Sequence, residues 1–290
     1  MTQLAEGRNT GSFGLLADVV TSGGVLILSG AGLSTESGIP DYRGPTGLAR
    51  WISGSTPMTY QAFTGSAAAR RKYWARSYLG WRHIAQAVPN DGHRAVAELS
   101  RRGLLTGIIT QNVDGLHQAA GASVVTELHG SLHWVVCLSC GQRTPRTELG
   151  RRLQAANPGW GWCVELATSV KPDGDADLDD RAIGSFQVAD CSACHGVLKP
   201  DVVFFGENVP RPRAEACYAL VERSSALVVL GSSLTVMSGF RYVRHAARRQ
   251  RPIVIVNQGT TRGDAYATAT LDASLGETLT KLVTRIQERR

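Results

Sequence analysis

Residues 25–32 read VLILSGAG, an apolar run that ends in a turn containing two glycines. Val, Leu and Ile fill positions 25–28 without polar alternation, which is typical of a strand buried on both faces of a parallel sheet. A glycine turn directly after such a strand allows the backbone to approach a phosphate group closely. The stretch therefore predicts a central parallel strand that leads into a ligand-binding turn.

Four further apolar runs repeat the pattern, at 107–109, 124–128, 226–230 and 253–256. Polar or glycine-rich residues follow each run, and long stretches with helical character separate the runs. Strands that alternate with helices in this way are typical of a sheet covered by helices on both faces. We therefore predict an α/β fold with a doubly wound parallel sheet.

Two long segments lack such runs. Residues 45–89 are rich in Trp, Tyr, Arg and Gly, and residues 132–199 carry two cysteine pairs around a loop-like middle. We interpret both segments as insertions that together form a smaller second domain. The larger domain would then consist of 13–44, 90–131 and 200–287.

The composition is that of a globular protein, because 290 residues with 43% hydrophobic content can bury a substantial core. No stretch approaches the roughly 20 consecutive apolar residues that span a bilayer. Residues 1–10 lack the basic start and apolar run of a signal peptide. We therefore expect a cytoplasmic protein without a membrane segment.

The net charge of +7 comes mainly from arginine, and basic side chains recur at helical intervals after residue 240. They are Arg241, Arg244, His245, Arg248, Arg249 and Arg251. Such a face can bind an acidic partner. We favour a solvated helix face and expect no nucleic-acid partner, because no nucleic-acid-binding motif accompanies the run.

Two Cys-x-x-Cys pairs form the most specific isolated motif of the chain. Cys137 with Cys140 and Cys191 with Cys194 supply four thiolates, enough for a closed tetrahedral zinc site. A site with four protein ligands has no open position for catalysis, so the metal would be structural. Thioredoxin-like redox chemistry is the alternative, but it needs one pair rather than two.

The turn after the first run is the first candidate binding site. Residues 29–43 read SGAGLSTESGIPDYR, in which Gly30 and Gly32 can admit a pyrophosphate whose charge the N-terminus of a following helix would stabilise. Thr35 replaces the third glycine of the dinucleotide fingerprint, which disfavours a standard dehydrogenase. A plain turn remains an alternative interpretation.

Polar residues also follow the other runs. Residues 110–117 read TQNVDGLH, whose side chains can hydrogen-bond a ribose or a carboxamide, or cap a helix. His129, beside Gly130, can take a proton from a hydroxyl, although a lone histidine is more often structural. The turns 231–233 and 257–259 can bind ribose or adenine, or simply end their strands. Because the carboxyl ends of parallel strands share one edge, these residues should converge on one crevice.

The separate motifs form one recognisable set when they are read together. They are GAG at 30–32, SGIPDYR at 37–43, QNVD at 111–114, HG at 129–130, both cysteine pairs, KPDVVFFGE at 199–207, GSSL at 231–234 and Asn257. This set resembles the sirtuin family of NAD-dependent protein deacylases and runs from about residue 25 to residue 279. The resemblance implies a Rossmann-like NAD-binding domain with a smaller zinc-binding domain formed by the insertions.

The resemblance also implies a role for each matching residue. The residues that would hold NAD are Gly30, Ala31 and Gly32 at the pyrophosphate, Ser34 and Glu36 in the same turn, Pro40, Asp41, Tyr42 and Arg43 in a loop over the nicotinamide ribose, Gln111 at that ribose, Asn112 and Asp114 at the nicotinamide end, and Gly231, Ser232, Ser233, Asn257, Gln258, Gly259 and Leu275 around the adenosine. The residues that would pair with the substrate peptide as an added strand are Val202, Val203, Phe204, Phe205 and Gly206. His129, with Asn112 and Asp114, would form the catalytic group, and the four cysteines would hold one structural Zn²⁺ per chain.

The implied reaction consumes NAD and frees a lysine. The acyl-lysine oxygen would attack the ribose carbon that loses nicotinamide, and His129 would deprotonate a ribose hydroxyl that then receives the acyl group. The products would be nicotinamide, free lysine and O-acyl-ADP-ribose, and the partners would be acylated lysine-bearing proteins. A protein mono-ADP-ribosyltransferase and a non-catalytic NAD-sensing or DNA-binding module are the alternatives. We expect a monomer.

Some features resemble the class II, mitochondrial-type subgroup, and we expect a bacterial-type member of it. These features are Tyr42, the sequence YWAR at 73–76 and the long segment between the cysteine pairs. Tyr73 and Arg76 form a Tyr-x-x-Arg pattern that resembles the acidic-acyl pocket of sirtuin desuccinylases. The alternative is a basic amphipathic helix in which Tyr73 packs and Arg76 faces solvent.

Overall fold

The larger sheet is made of short strands that lie near the predicted apolar runs. The computed structural model describes residues 2–41, 57–160, 178 and 183–289. The strands of the larger sheet are β1 Val25–Ser29, β2 Leu105–Thr110, β3 Val125–Glu127, β7 Ala226–Leu230, β8 Ile253–Val256 and β9 Ala269–Leu271. Five of them match the predicted runs, and β9 is an addition. All neighbouring pairs are parallel.

The strand order is β3-β2-β1-β7-β8-β9, so the chain winds outward in one direction from β1 and in the other from β7. This is the doubly wound arrangement that the sequence predicted. In such sheets the order reverses at one point, and a crevice opens there beyond the carboxyl ends of the strands. Here that point lies between β1 and β7.

The helices are α1 Thr2–Thr21, α2 Tyr60–Gly65, α3 Ala67–Gln86, α4 Asp91–Arg101, α5 Leu116–Ala119, α6 Arg146–Ala156, α7 Arg211–Arg223, α8 Met237–Arg248 and α9 Leu275–Glu288. Five of them, α1, α4, α7, α8 and α9, pack on the two faces of the larger sheet. Val25 and Ile27 of β1 pack into a core with residues of α1, α4 and α9, whereas Leu26 and Leu28 pack into a second core with residues of α7 and α8. Alternate side chains of one strand therefore fill two cores, which explains the unbroken apolar run.

A second, antiparallel sheet lies in the cysteine-bearing part of the chain. Its strands are β4 Gly130–Cys137, β5 Arg143–Pro145 and β6 Leu198–Val202, in the order β5-β4-β6. No strand was predicted here, because these segments mix His, Trp, Lys and Pro with apolar residues. β4 starts one residue after His129, and β6 leads into 203–206, so the second sheet is joined directly to residues predicted for the functional site. The predicted domain boundaries remain a proposal.

The second sheet shares a third core with α3 and α6, in which aromatic residues are prominent. Phe63, Tyr73 and Phe204 contact one another edge-on or tilted, with ring centroids 5.2 to 5.5 Å apart. Offset and edge-on contacts of this kind stabilise a core beyond the area they bury. Across the described residues, no helix is both long enough and apolar enough to cross a bilayer.

Candidate active site

A cleft of about 460 Å³ opens at the switch point of the larger sheet. The predicted residues that line it are Gly30, Ala31, Gly32, Ser34, Glu36, Asp41, Gln111, Asn112, Asp114, His129, Val202, Val203, Phe204, Phe205, Gly206, Gly231, Ser232, Ser233, Asn257, Gln258 and Leu275. The strands bring together residues more than 200 positions apart in the chain, as the parallel sheet requires. The predicted convergence on one crevice is therefore observed.

A few predicted contacts fall elsewhere. Pro40 and Gly259 do not line the cleft, and Tyr42 and Arg43 lie outside the described residues. Gly259 instead accepts a hydrogen bond from the Asn257 side chain and donates its backbone N–H to Asp272. Its contribution is thus to the shape of the turn that carries Asn257.

The glycine turn after β1 packs against the turn after β7. A Cβ added to Gly30 would stand 2.8 Å from the carbonyl oxygen of Gly231, and one added to Gly32 would stand 2.9 Å from the Cα of Gly231. These separations are shorter than real Cβ contacts, so both glycines are needed for the two turns to approach. Gly30 and Gly32 are therefore required for packing of the turn after β1 against the turn after β7, whether or not a phosphate binds there.

The expected α-helix after the glycine turn is not observed. Two three-residue 3₁₀ turns, Ala31–Leu33 and Thr35–Ser37, follow instead, and Gly38 ends the second with a φ of 81°. An α-helix N-terminus is therefore absent from this part of the cleft over the residues described up to 41. The N–H groups of Gly30, Gly32, Leu33 and Ser34 in this turn donate to carbonyl groups of the protein itself.

Ser34 connects the two polar residues predicted at the nicotinamide end. Asn112 donates its Nδ2 hydrogens to Ser34 Oγ at 3.0 Å and to the Gly30 carbonyl at 3.1 Å. Ser34 in turn donates to Asp114 Oδ2 at 2.7 Å, and the backbone N–H of Leu116 donates to Asp114 Oδ1 at 2.9 Å. The three side chains are buried and form one fixed array of donors and acceptors.

Burial raises the pKa of Asp114, whereas the hydrogen bonds from Leu116 and Ser34 oppose that rise. A carboxyl group in this setting has its orientation fixed by two donors. It is therefore suited to holding a polar ligand group in one position.

Other predicted residues shape the rim of the cleft. Gln111 donates from Nε2 to Ser232 Oγ at 2.8 Å, which joins the turns after β2 and β7. The Glu36 carboxylate accepts from Ser274 Oγ at 3.0 Å and from the Gly276 N–H at 3.2 Å. Glu36 thereby satisfies a free N–H at the start of α9, a favourable place for a negative charge.

His129 is held at the centre of the cleft by two hydrogen bonds. Its Nδ1 lies 2.9 Å from the backbone carbonyl oxygen of Gln111, and its Nε2 lies 2.7 Å from Ser238 Oγ. Burial lowers the pKa of His129 from its ordinary value of 6.5, and Arg213 contributes in the same direction, while the Gln111 carbonyl opposes the shift. The imidazole is therefore neutral at pH 7 and can accept a proton.

Gly130 fixes the backbone directly after His129. It has a φ of 82°, and an added Cβ would collide with the carbonyl oxygen of Asp201 in β6. The carbonyl of His129 also accepts the Val203 N–H at 2.8 Å. The predicted base and the predicted peptide-binding segment are thus joined through their main chains.

The segment 202–206 forms one side of the cleft and leaves an apolar side chain exposed. Phe205 is 42% exposed, and its carbonyl accepts the Tyr60 N–H at 2.9 Å. Gln61 Nε2 donates to the Gly206 carbonyl at 3.1 Å. The start of α2 therefore holds the far end of this segment in place.

An ion pair between a buried lysine and a partly exposed glutamate supports the same segment. Lys199 is 4% exposed, and its Nζ lies 3.0 Å from Glu207 Oε2 and contacts the Val202 carbonyl. Glu207 also accepts the Phe204 N–H at 2.8 Å. Burial lowers the pKa of Lys199, whereas Glu207 opposes the shift by its charge and its hydrogen bond.

The remaining part of the cleft wall is mainly apolar, and much of it was not predicted. Ile39, Met58, Tyr73 and Leu132 line it together with the residues already named. Tyr73 is buried there, whereas Arg76 is partly buried and does not line the cleft. The arrangement agrees with packing of Tyr73 and gives no support for Arg76 as an acyl ligand.

The arginine-rich run forms part of α8. His245 and Arg249 both contact Glu222 of α7 at 2.7 Å, and Arg241 lines the cleft. Arg244 and Arg248 are exposed, as predicted for a solvated helix face. The charges of this helix are therefore partly used within the fold.

The four predicted cysteines lie together between β4 and the segment before β6. Their Sγ atoms are all within 4.8 Å of one another, with Cys137 3.5 Å from Cys194 and Cys140 3.8 Å from Cys191. Tetrahedral zinc with Zn–S bonds of about 2.3 Å would place its sulfur ligands about 3.8 Å apart. The cluster therefore fits a structural zinc ion held by Cys137, Cys140, Cys191 and Cys194.

Fold and site together define an α/β protein with a cleft at the switch point of its parallel sheet, a partly buried histidine of lowered pKa in that cleft, and a four-cysteine cluster that fits zinc. The Sir2 family model matches residues 30–238. The chain is 59% identical over 271 residues to an NAD-dependent protein deacetylase 1 of Streptomyces coelicolor, covering 93% of this chain and 89% of the relative. It is 49% identical over 269 residues to an NAD-dependent protein deacetylase 1 of Mycobacterium avium, covering 92% of this chain and 93% of the relative.

Solved structures agree with these relatives. A Sir2–p53 peptide–NAD⁺ complex aligns with a TM-score of 0.74 and 28% identity, covering 93% of this chain and 97% of that one. The ADP-ribose complex of a Sir2 homologue aligns with a TM-score of 0.74 and 29% identity, covering 95% and 96%. The chain belongs to the Sir2 family.

Proposed function

We propose that this chain is an NAD-dependent protein lysine deacylase, with acetyl-lysine among its substrates. The observation that supports this most is the presence in one cleft of a neutral histidine, a glycine turn and an apolar segment beside them. The family and its curated deacetylase relatives, at up to 59% identity, support the same reaction.

The donor set of the cleft fits NAD at both of its ends. Ser232, Ser233 and Asn257 offer hydroxyl and amide groups on one side, and the Asn112–Ser34–Asp114 array offers an amide and a carboxyl group on the other. Bound NAD would supply a ribose carbon whose cationic nicotinamide is a good leaving group. We assign Asn112 and Asp114 to orientation of that nicotinamide end and the glycine turn to the pyrophosphate.

His129 would act as the general base. Its Nδ1 faces a carbonyl and so carries the ring proton, which leaves a lone pair on Nε2 directed to the cleft. At Nε2 the ring would accept the proton of a ribose hydroxyl, so that this oxygen could bond to the acyl carbon as the bond from that carbon to the lysine nitrogen breaks.

The segment 202–206 would bind the peptide backbone of the substrate protein. Its exposed Phe205 and the nearby Met237, each 42% exposed, offer apolar surface next to the cleft. Main-chain pairing fixes the substrate and leaves its sequence loosely specified. Acylated lysine-bearing proteins are therefore the proposed partners, and the cytoplasm is the proposed location.

Product analysis tests the function directly. We expect purified protein, NAD and an acetyl-lysine peptide to give nicotinamide, deacetylated peptide and O-acetyl-ADP-ribose by mass spectrometry. ADP-ribose attached to a protein side chain, with the acetyl group retained, would instead identify a mono-ADP-ribosyltransferase. Salt-dependent DNA binding without NAD consumption would identify a non-catalytic module.

A further inference from the structure

The contact between His129 and Ser238 is not explained by the proposed roles of the cleft residues. Ser238 is the second residue of α8, 109 positions after His129, and its Oγ lies 2.7 Å from Nε2. It lines the cleft and is partly buried. No sequence pattern pointed to it, because a serine in the first turn of a helix is common.

The partners of the imidazole determine the direction of both hydrogen bonds. The Gln111 carbonyl can only accept, so Nδ1–H of His129 must donate to it. A neutral imidazole has a single N–H, which makes Nε2 an acceptor. The Ser238 hydroxyl therefore donates to the nitrogen that would receive the substrate proton.

We propose that Ser238 is a positioning residue for His129, whose hydroxyl holds Nε2 toward the cleft and pairs with the imidazole ring in both of its protonation states. A hydroxyl can donate to the neutral ring and, after rotation, accept from Nε2–H of the protonated ring. The Gln111 carbonyl accepts from Nδ1–H in both states. The effect of Ser238 on turnover rests on the proposed function of the cleft. The hydrogen bonds of His129 to Gln111 and Ser238 do not, because they form without a bound ligand.

The Ser238 hydroxyl stabilises the protonated imidazole of His129 more than the neutral one. A hydrogen bond to a charged group is stronger than one between neutral groups, so the hydroxyl favours the protonated ring. Removal of the hydroxyl should therefore lower the pKa of His129 further and weaken it as a base. Among the described residues, Arg213 of α7 lowers the pKa of His129. The charged and acidic groups that line the same cleft are Arg241, Glu36, Asp41, Asp114 and Glu207.

The hydrogen bond from Ser238 also affects how a substrate hydroxyl reaches His129. A ribose hydroxyl that is to lose its proton at Nε2 must share that nitrogen with Ser238 or displace it. Because Ser238 is on a helix and not on a loop, its Oγ stays near the ring after displacement. It can then accept from the newly formed Nε2–H, which stabilises the charge produced by the proton transfer.

The test compares wild type, Ser238→Ala and Ser238→Thr in two measurements. The first is an NMR titration with ring-labelled histidine, in which the His129 signal is identified by its loss in His129→Gln. We expect the Nδ1–H tautomer in wild type, a lower titration midpoint in Ser238→Ala, and a midpoint close to wild type in Ser238→Thr, which keeps the hydroxyl. The second is steady-state deacetylation as a function of pH.

For turnover we expect kcat of Ser238→Ala to fall about tenfold, with the peptide KM within about twofold and with recovery in Ser238→Thr. The acidic limb of the pH profile should move to lower pH in Ser238→Ala, because the base titrates lower. Unchanged titration, tautomer and kcat in Ser238→Ala would overturn the proposal. If wild type consumes no NAD, the proposed function fails, and the NMR titration still decides the role of Ser238.

Discussion

At the scale of single residues, the cleft depends on side chains whose ionisation is set by burial. His129 needs to be neutral to accept a proton, and its burial keeps it so. Its partners are a main-chain carbonyl and a hydroxyl, neither of which carries charge. As the proposed base, His129 would therefore be kept neutral by its surroundings, without an acidic partner in direct contact.

Replacement of His129 by alanine should remove deacylation and leave the fold intact. A positioned general base contributes about 10² to 10⁴ in rate, so kcat/KM should fall within that range. Because the pKa is lowered from 6.5, wild-type activity should persist below pH 6.5 and decline only as the ring protonates. A pH profile of kcat/KM with a matching melting temperature checks both points. Near wild-type turnover in the alanine variant would exclude His129 as the base.

Two other histidines link stability to pH. His93 and His117 are buried, and their rings contact each other edge-on at 5.3 Å. Desolvation by burial lowers the pKa of His93 to about 3, with His117 and Arg94 adding to the shift, and lowers that of His117 to about 4. In the unfolded chain the two rings take up protons near pH 6.5, whereas in the folded chain they stay neutral at that pH. The free energy of unfolding should therefore fall as the pH drops below 6.5.

We expect the free energy of unfolding to be lower at pH 5 than at pH 7.5 by roughly 2 to 4 kcal/mol. Urea titrations at several pH values measure it. His117→Gln should reduce the dependence on pH by about half. An unfolding free energy that stays constant between pH 7.5 and pH 5 would contradict the assignment.

At the scale of elements, the strands that position the cleft were the predictable part. The strands β1, β7 and β8 are buried along their whole length, and all of their residues except Ser29 are apolar. β9, Ala269–Leu271, is only three residues long and contains a threonine, which gives too short a pattern to distinguish from a loop. The antiparallel sheet was missed for a related reason, since β6 reads LKPDV and its lysine is buried through an ion pair.

The lining of the cleft was predictable where a residue follows a strand directly. Asn112, Asp114 and His129 were found in this way. Ser238 was not, because its place beside His129 results from packing of α8 against the sheet and not from its neighbours in sequence. The 3₁₀ turns after Gly30 were not predicted either, since a glycine turn after a strand usually precedes an α-helix.

The Lys199–Glu207 pair supplies a prediction for the proposed peptide-binding segment, 202–206. Lys199→Met removes the charge that balances Glu207 and frees the 202–206 segment, so the peptide KM should rise about five- to tenfold with little change in the NAD KM. Stability should fall by about 2 kcal/mol. Lys281→Met, which removes an exposed ion pair with Glu277, is the matched control. Equal KM values in the two variants would show that the pair does not position the segment.

At the scale of the whole molecule, the metal site holds the antiparallel sheet beside the cleft. Cys137 ends β4, and the strand begins at Gly130, next to His129. Loss of the metal should therefore loosen the peptide-binding side and lower stability, because structural zinc contributes folding energy.

Metal analysis of the purified protein should find about one zinc per chain. Cys137→Ser and Cys191→Ser should lose the metal and melt at lower temperature, whereas Cys217→Ala, at a buried cysteine remote from the cluster, should retain it. Inductively coupled plasma mass spectrometry and calorimetry check these outcomes. A metal-free wild type that is folded and active would contradict a structural zinc site.

The proposed function requires one cleft to couple NAD cleavage to removal of an acyl group from lysine. The most direct measurement is the ratio of nicotinamide released to lysine freed from an acetyl-lysine peptide, followed over time in wild type and in His129→Ala. We predict a ratio of one in wild type, with no lysine freed when NAD is left out, and no sustained release of lysine in the variant. Nicotinamide released without free lysine, or lysine freed without NAD, would show that the two reactions are not coupled in this cleft.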